Sequence, residues 1–343
     1  MSFAMRPART LLLTLLLAAL VLPPLASAAP GKRSEVAPTG QTVEELKDES
    51  NPDTALDRWH DRLYLAVQDF IARTDARFVD AGETPLPVPA SPFRIGLESD
   101  VIRREDGSVD FSPRLDVDLL LQLPNFERKL RVFVTSDTVA ESPSVLRGAS
   151  NSVRAGLRLS PLHFLDFDIG IRADAPPVAF TSVRWQRSVA WGKWELQPFA
   201  KLYLETHKGF GFATGLSFDR WIDHWVFRSS SYANWRKDAH DTEFTQSFTL
   251  AHAQEIIRFG RYSDVVGGRD LARGYGLQFL ATGTHDTGSQ RYEASLFYKQ
   301  PTKMRWLYWH VAPLMTWERK FNWHPDPGIR IGIDALFWDV SKH

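Results

Sequence analysis

The chain has 343 residues, 41 Lys plus Arg balanced by 41 Asp plus Glu, and no cysteine. Without a basic patch or stripe it lacks the footprint of a nucleic-acid binder. Without cysteine it has no disulfide framework, thiolate nucleophile or lipoprotein attachment site.

The first expected element is a secretory leader: Arg6 and Arg9, an apolar run from Leu11 to Leu22, then Ala26-Ser27-Ala28, with cleavage after Ala28. The run is shorter than the roughly 18 residues of a spanning helix, and no second long apolar run follows it. Residues 29–52 are rich in Pro, Gly, Thr and acidic side chains, the composition of a flexible linker. From Asp53 the spacing of Leu56, Trp59, Leu63, Ala66, Val67, Phe70 and Ile71 predicts an amphipathic helix to about Arg73, capped by Asp53. Its apolar stripe either covers one end of the following domain or plugs it. A Pro-rich connector from Pro85 to Pro92 closes this 53–91 segment, which is expected on the periplasmic side.

From residue 92 to the end, segments of period-two alternation recur every ten to twenty residues. Fourteen strands are expected, near Phe93–Val101, Leu115–Leu123, Leu130–Val134, Val153–Leu159, Leu165–Ile171, Val178–Val189 and Trp194–Leu204, then Phe210–Phe218, Trp225–Trp235, Phe244–His252, Leu271–Ala281, Arg291–Lys299, Trp306–Trp317 and Ile329–Trp338. Each has an unbroken apolar face, which suits either the core of a soluble sandwich or lipid around a barrel.

The 12 Trp separate these readings. Trp225 and Trp235 share a parity ten residues apart, a height difference of about 25 Å for a tilted strand, and Trp309 and Trp317 repeat the arrangement. Trp191 with Trp194, and Trp221 with Trp225, flank two short turns at one end. Two rings of amphipathic aromatics are what membrane interfaces select, so the expected fold class is all-β: a transmembrane up-and-down antiparallel barrel with an amino-terminal amphipathic helix.

A cleaved leader, about 14 amphipathic strands and an aromatic final strand resemble a Gram-negative outer-membrane β-barrel, over roughly Phe93 to Trp338. The assembly signal of that class, a polar residue followed by Gly and then by hydrophobic positions, falls on Arg330, Gly332, Ala335 and Phe337. Ala335 is small for its place, and the chain runs five residues beyond Trp338. Within the class the chain looks most like barrels with an amino-terminal helix and no assigned activity, so no catalytic residues are carried over. The resemblance implies residence in the outer membrane, with its lipid, its lipopolysaccharide and the assembly machinery as partners.

With the apolar parity toward lipid, the other parity lines the lumen: Arg114, Asp116, Asp118, Arg154, Arg158, Asp166, Asp168, Arg172, Arg184, Lys201, Arg330 and Asp334. Turning an Arg or Lys toward lipid costs roughly 2–4 kcal/mol at mid-membrane, which fixes the faces. Arg158 is expected opposite Asp166 across a turn at Pro161-Leu162. Such mixed charges either guide a polar or amphiphilic solute or neutralise one another and block the interior. A lipid-modifying enzyme is the alternative, but His207, His252, His310 and His324 fall in no Ser-His motif with Ser229, Ser231 or Ser247. An anchor for a periplasmic complex is a third reading. No cofactor or metal is implied.

Overall fold

The computed structural model describes residues 54–79, 88, 90–122, 125, 130–136, 153–162, 164–239, 241–258, 269–304 and 306–337. The leader, the linker, Asp53, most of the Pro-rich connector and the residues after Phe337 lie outside these. A helix α1 (Ala55–Asp75) comes first, extended by one 3-10 turn over Ala76–Phe78. Its N-cap is Thr54 rather than Asp53: the Thr54 hydroxyl accepts from the Asp57 N–H, and the Asp57 carboxylate accepts from the Thr54 N–H. Two amides with no helical partner are thereby satisfied reciprocally, which places the helix start there.

The strands are β1 (Phe93–Arg103), β2 (Val109–Gln122), β3 (Leu130–Ser136), β4 (Val153–Leu162), β5 (Leu165–Arg172), β6 (Val178–Gln186), β7 (Val189–Trp191), β8 (Trp194–Glu205), β9 (Gly209–Ile222), β10 (Trp225–Arg236), β11 (Thr242–Arg258), β12 (Arg269–Thr284), β13 (Gly288–Pro301), β14 (Leu307–Glu318) and β15 (Pro325–Phe337). The short β7 continues β6, since both pair with β8, so the wall has 14 staves. All neighbours are antiparallel, and β1 pairs with β15 from Phe93↔Phe337 to Ile102↔Gly328, which closes the sheet. Closure matters because it leaves no unpaired backbone edge for lipid to solvate.

An even number of staves brings Phe93 and Phe337 to the same end. The tight turns after β7, β9 and β13 share that end with the termini, while the β1–β2, β8–β9, β10–β11 and β12–β13 turns lie at the other. In the β4–β5 hairpin, an irregularity between Leu159 and Leu162 moves the turn past Pro161-Leu162. The register therefore sets Arg158 against Asp168 and not Asp166, and Asp166 faces Arg184 of β6 instead.

Large apolar side chains are exposed on one parity around the barrel, Ile331 at 50%, Leu277 at 53% and Ile169 at 61% among them. A ring of this size is far beyond the apolar patches that soluble monomers leave to water. Charged side chains occupy the other parity, turned inward and buried. An apolar outside and an ionic inside define a membrane-spanning barrel, the fold of Gram-negative outer-membrane proteins.

The helix is neither a plug nor an end cover. Tyr64 packs on Phe93 and Phe337, and Ile71 on Leu121, and these three wall residues all belong to the lipid-side parity. α1 therefore lies against the outside of the wall at the terminal rim, crossing from β14 over the β15–β1 seam to the β2–β3 connection. Hydrogen bonds fix it along that path: Trp306 Nε1–H donates to Asp57 (2.8 Å), His60 Nε2–H to the Leu336 carbonyl (3.2 Å), and the Asn125 N–H to Asp75 (3.0 Å). Gln68 and Ser91 exchange two more, at 2.8 and 2.9 Å.

Candidate functional site: the charged inner wall

Alternation on each strand delivers the inner residues, and antiparallel register sets who meets whom. On β13, β14, β15, β1 and β2 the result is one connected ionic cluster. Arg330 donates to both Asp100 oxygens (2.7 and 3.0 Å) and lies 3.1 Å from Glu293. Arg114 reaches Glu98 (3.1 Å) and Asp100 (2.6 Å). Asp334 receives Lys299 (2.9 Å) and Arg94 (3.3 Å), and Arg94 also holds Asp116. His310 Nε2 bonds Glu98 at 3.1 Å. Toward the rim away from the termini, Arg104 joins Asp326 (2.9 Å), Glu318 (3.2 Å) and Asp110 (2.7 Å).

The opposite wall, β3 to β8, has more cations. Its inner parity carries Arg131, Arg154, Arg158, Arg172, Arg184 and Lys201, six, against Asp166, Asp168, Glu195 and Glu205, four, among the described residues. Three like-charged pairs stand in direct register: Arg131↔Arg158, Arg154↔Arg172 and Arg184↔Lys201. Such pairs repel unless acids and ring faces intervene. Arg158 forks onto Asp168 (2.5 and 2.7 Å) and Arg172 onto Glu205 (2.8 and 2.9 Å). Arg154 lies over Phe180, Arg184 over Phe199 and Lys201 over Tyr203, at 5.7, 5.3 and 5.6 Å. Asp166 accepts from the Ser160 hydroxyl at 2.6 Å, and Asp118 stands in register between Arg94 and Thr135.

Between these walls, apart from Arg228 of β10 forking onto Asp219 of β9 (2.8 and 2.6 Å), β9 to β12 and the middle of β13 present mostly neutral groups. Ser217, Ser230 and Ser247 stand side by side, with the Ser217 hydroxyl donating to Ser230 at 3.0 Å. Thr249, Gln278 and Ser295 form the next row. Beyond it lies an inward apolar cluster of Val226, Ala251, Ala253, Phe297 and Ala312. Trp221 packs against that cluster, so it faces inward and is not part of the aromatic belt. The other six belt residues, Trp191, Trp194, Trp225, Trp235, Trp309 and Trp317, carry the outer parity.

All twelve lumen-lining residues expected from parity point inward. The hydroxyl rows and the Arg104 cluster are not expected from charge in mid-strand, since serines and threonines carry none and Arg104 lies one residue past the end of β1. Of the assembly-signal residues, Arg330 and Gly332 face inward, and Ala335 and Phe337 outward under α1. His252 lies on the outer face, its ring 5.1 Å from Trp225 and 5.2 Å from Tyr275. Among the described residues no group of three or more His, Asp or Glu is placed to hold a metal ion.

No protein-family model matches the chain, and no curated protein compared with it matches either. It is similar to solved structures that include Pseudomonas aeruginosa OprD, 9% identical with a TM-score of 0.36 over 72% of this chain and 94% of that one. A loop L8 deletion mutant of OmpT, an outer membrane protein of Vibrio cholerae, is 6% identical with a TM-score of 0.37 over 71% and 98%. Acinetobacter baumannii OccAB4 is 6% identical with a TM-score of 0.37 over 72% and 97%.

Proposed function

We propose that the barrel is an outer-membrane channel for a small polar solute, with a passage set to one side against β9–β13. The carrying observation is the asymmetry of the inner wall. Long ionic side chains, mutually paired and buried, crowd the space before β13–β2 and β3–β8, whereas β9–β12 contribute Ser217, Ser230, Ser247 and Thr249, which project little, beside the ionic pair Arg228–Asp219. A 14-stave barrel is wider than the eight-strand kind that side chains fill, and since the short residues are themselves at most 4% exposed, a solute passes them when the long side chains alongside move aside. A solute there meets hydroxyls and an amide on one side and the cation-rich wall on the other, a setting for a neutral or anionic polar molecule.

Planar-bilayer recording of purified, heat-modifiable protein tests this. Discrete conductance steps with a modest anion preference in a KCl gradient are expected, and R184E/K201E reverses that preference. Electrical silence of correctly folded protein, with and without residues 29–90, rejects the channel.

A further inference from the structure

The helix α1 is turned an unusual way. Its buried positions, Asp57, His60, Asp61, Tyr64, Gln68, Ile71 and Asp75, are mostly polar, while Leu56, Trp59 and Phe70 are 51%, 51% and 59% exposed. At about 100° per residue, Leu56, Trp59, Leu63 and Phe70 fall within one arc of about 60°, and Arg58, Arg62 and Arg73 within another, which they share with Asp69 for a net positive charge. The buried arc occupies the third side. The cylinder thus has a barrel face, an apolar face and a basic face.

The contacts say which way the apolar face points. Asp57, Gln68 and Asp75 bond to Trp306, Ser91 and Asn125, which lie on the rim beyond the strand ends. His60, Tyr64 and Ile71 pack on Phe337, Phe93 and Leu121, which lie within the strands. Rotation from the first set to the second moves from the rim toward the middle of the barrel. Continued in the same sense, it reaches Val67, then Leu56, Leu63, Phe70 and Trp59. The apolar stripe therefore extends the barrel's own lipid-facing belt, and the exposed Arg58, Arg62 and Arg73 turn away from it toward the water side of the rim.

We propose that α1 is an in-plane membrane anchor: its Leu56–Trp59–Leu63–Phe70 stripe enters the periplasmic leaflet beside the barrel, and Arg58, Arg62 and Arg73 bind the headgroups of anionic phospholipid. The occupant follows from continuity and charge. Apolar side chains contiguous with a lipid-facing belt share its solvent, and three arginines bordering them complement an anionic surface. Polar pairing of the helix to the wall fits this arrangement, since it leaves Leu56, Trp59 and Phe70 exposed for lipid, with Leu63 half-buried at the edge of the contact. The inference rests on the barrel's place in a membrane and is independent of conduction.

The absence of cysteine permits a direct test on the full chain reconstituted in phosphatidylcholine bilayers with or without phosphatidylglycerol. Single variants Phe70→Cys and Arg62→Cys each take one spin label. The label at 70 is expected to relax with oxygen dissolved in the acyl region and the label at 62 with a water-soluble nickel chelate. Spin-labelled phosphatidylglycerol is expected to associate with the protein about tenfold more than labelled phosphatidylcholine, and R58Q/R62Q/R73Q removes most of that excess. Equal access of the nickel chelate to both positions overturns the anchor. A phosphatidylglycerol excess that is missing, or that survives the triple substitution, overturns the headgroup assignment. Heat-modifiable migration of every variant shows that the barrel itself has formed, which separates failure of the anchor from failure of the fold.

Discussion

Phe93 and Phe337, the first residue of β1 and the last of β15, stack across the closing seam with ring centroids 4.2 Å apart and planes 8° from parallel. The His60 ring of α1 stacks in turn on Phe337 at 4.7 Å and on Trp306 at 4.5 Å. The seam is thus joined by backbone pairing inside the wall and by an aromatic stack outside it. Removing a buried Phe side chain costs about 3–5 kcal/mol where neighbours cannot collapse into the space. Phe93→Ala is expected to lower the temperature at which the folded band converts to the unfolded one on a heat-modifiability gel by several degrees, and Tyr64→Ala to do so by less. An unchanged conversion temperature for Phe93→Ala would show that the stack does not hold the seam.

Arg330 reaches Asp100, Glu98 and Glu293 together, and it is 5% exposed. A buried pair can contribute little relative to an apolar replacement, yet removing one partner strands the other at a cost of about 3–5 kcal/mol. Arg330→Met is expected to shift the urea midpoint of detergent-refolded barrel downward, and Asp100→Asn added to it to restore part of the loss. Strict additivity of the two changes would mean that the residues are not coupled.

The barrel was legible in the sequence because a period of two carries both the strand and its two solvents: Ile329, Ile331 and Ile333 outward, Arg330 and Asp334 inward. The β15–β1 seam followed from stave parity. Trp221 was misplaced because it stands one residue from the strand end, where a turn of either length reverses its side, and its parity is that of Asp219, which bonds Arg228 inside the barrel. The Arg158–Asp166 pairing failed for a similar reason. One irregular residue between Leu159 and Leu162 shifts a register that alternation alone leaves open. The helix is legible in its spacing, but spacing alone does not tell whether its apolar residues face protein or lipid. That Asp57, Gln68 and Asp75 would bind the rim while Trp59 and Phe70 stayed exposed depends on partners more than 20 residues away.

Gly332 illustrates a residue with two roles that can be separated. The His310 ring occupies the space where a side chain on Gly332 would begin, so a methyl group there would overlap the ring and push it off Glu98. Gly332→Ala is expected to reduce the yield of folded barrel both in cells and on refolding in detergent, with His310→Ala restoring the detergent yield. If Gly332 acts only as part of the assembly signal, the detergent yield does not fall and His310→Ala changes nothing in cells.

At the rim away from the termini, Asp241 ties the β10–β11 turn to the β12–β13 turn. Its carboxylate accepts from the Thr242 N–H (2.6 Å) and the Asp286 N–H (3.2 Å). The Thr284 hydroxyl first, and then these amides, hold its pKa below the usual carboxylate value. A depressed folded-state pKa gives a contribution that is complete above the unfolded value, about 3.9, and is lost as pH falls through the folded one. Asp106 has a depressed pKa too, from the Ser108 hydroxyl and amide, but that bond stays within its own turn. Hydrogen-exchange protection factors at Thr242 and Asp286 are therefore expected to hold from pH 7 to about pH 4 and to fall together below it. Asp241→Asn should bring both amides partway to their low-pH protection at every pH, while Asp106→Asn should leave them unchanged. Independent loss of protection at the two amides would show that Asp241 does not couple the turns.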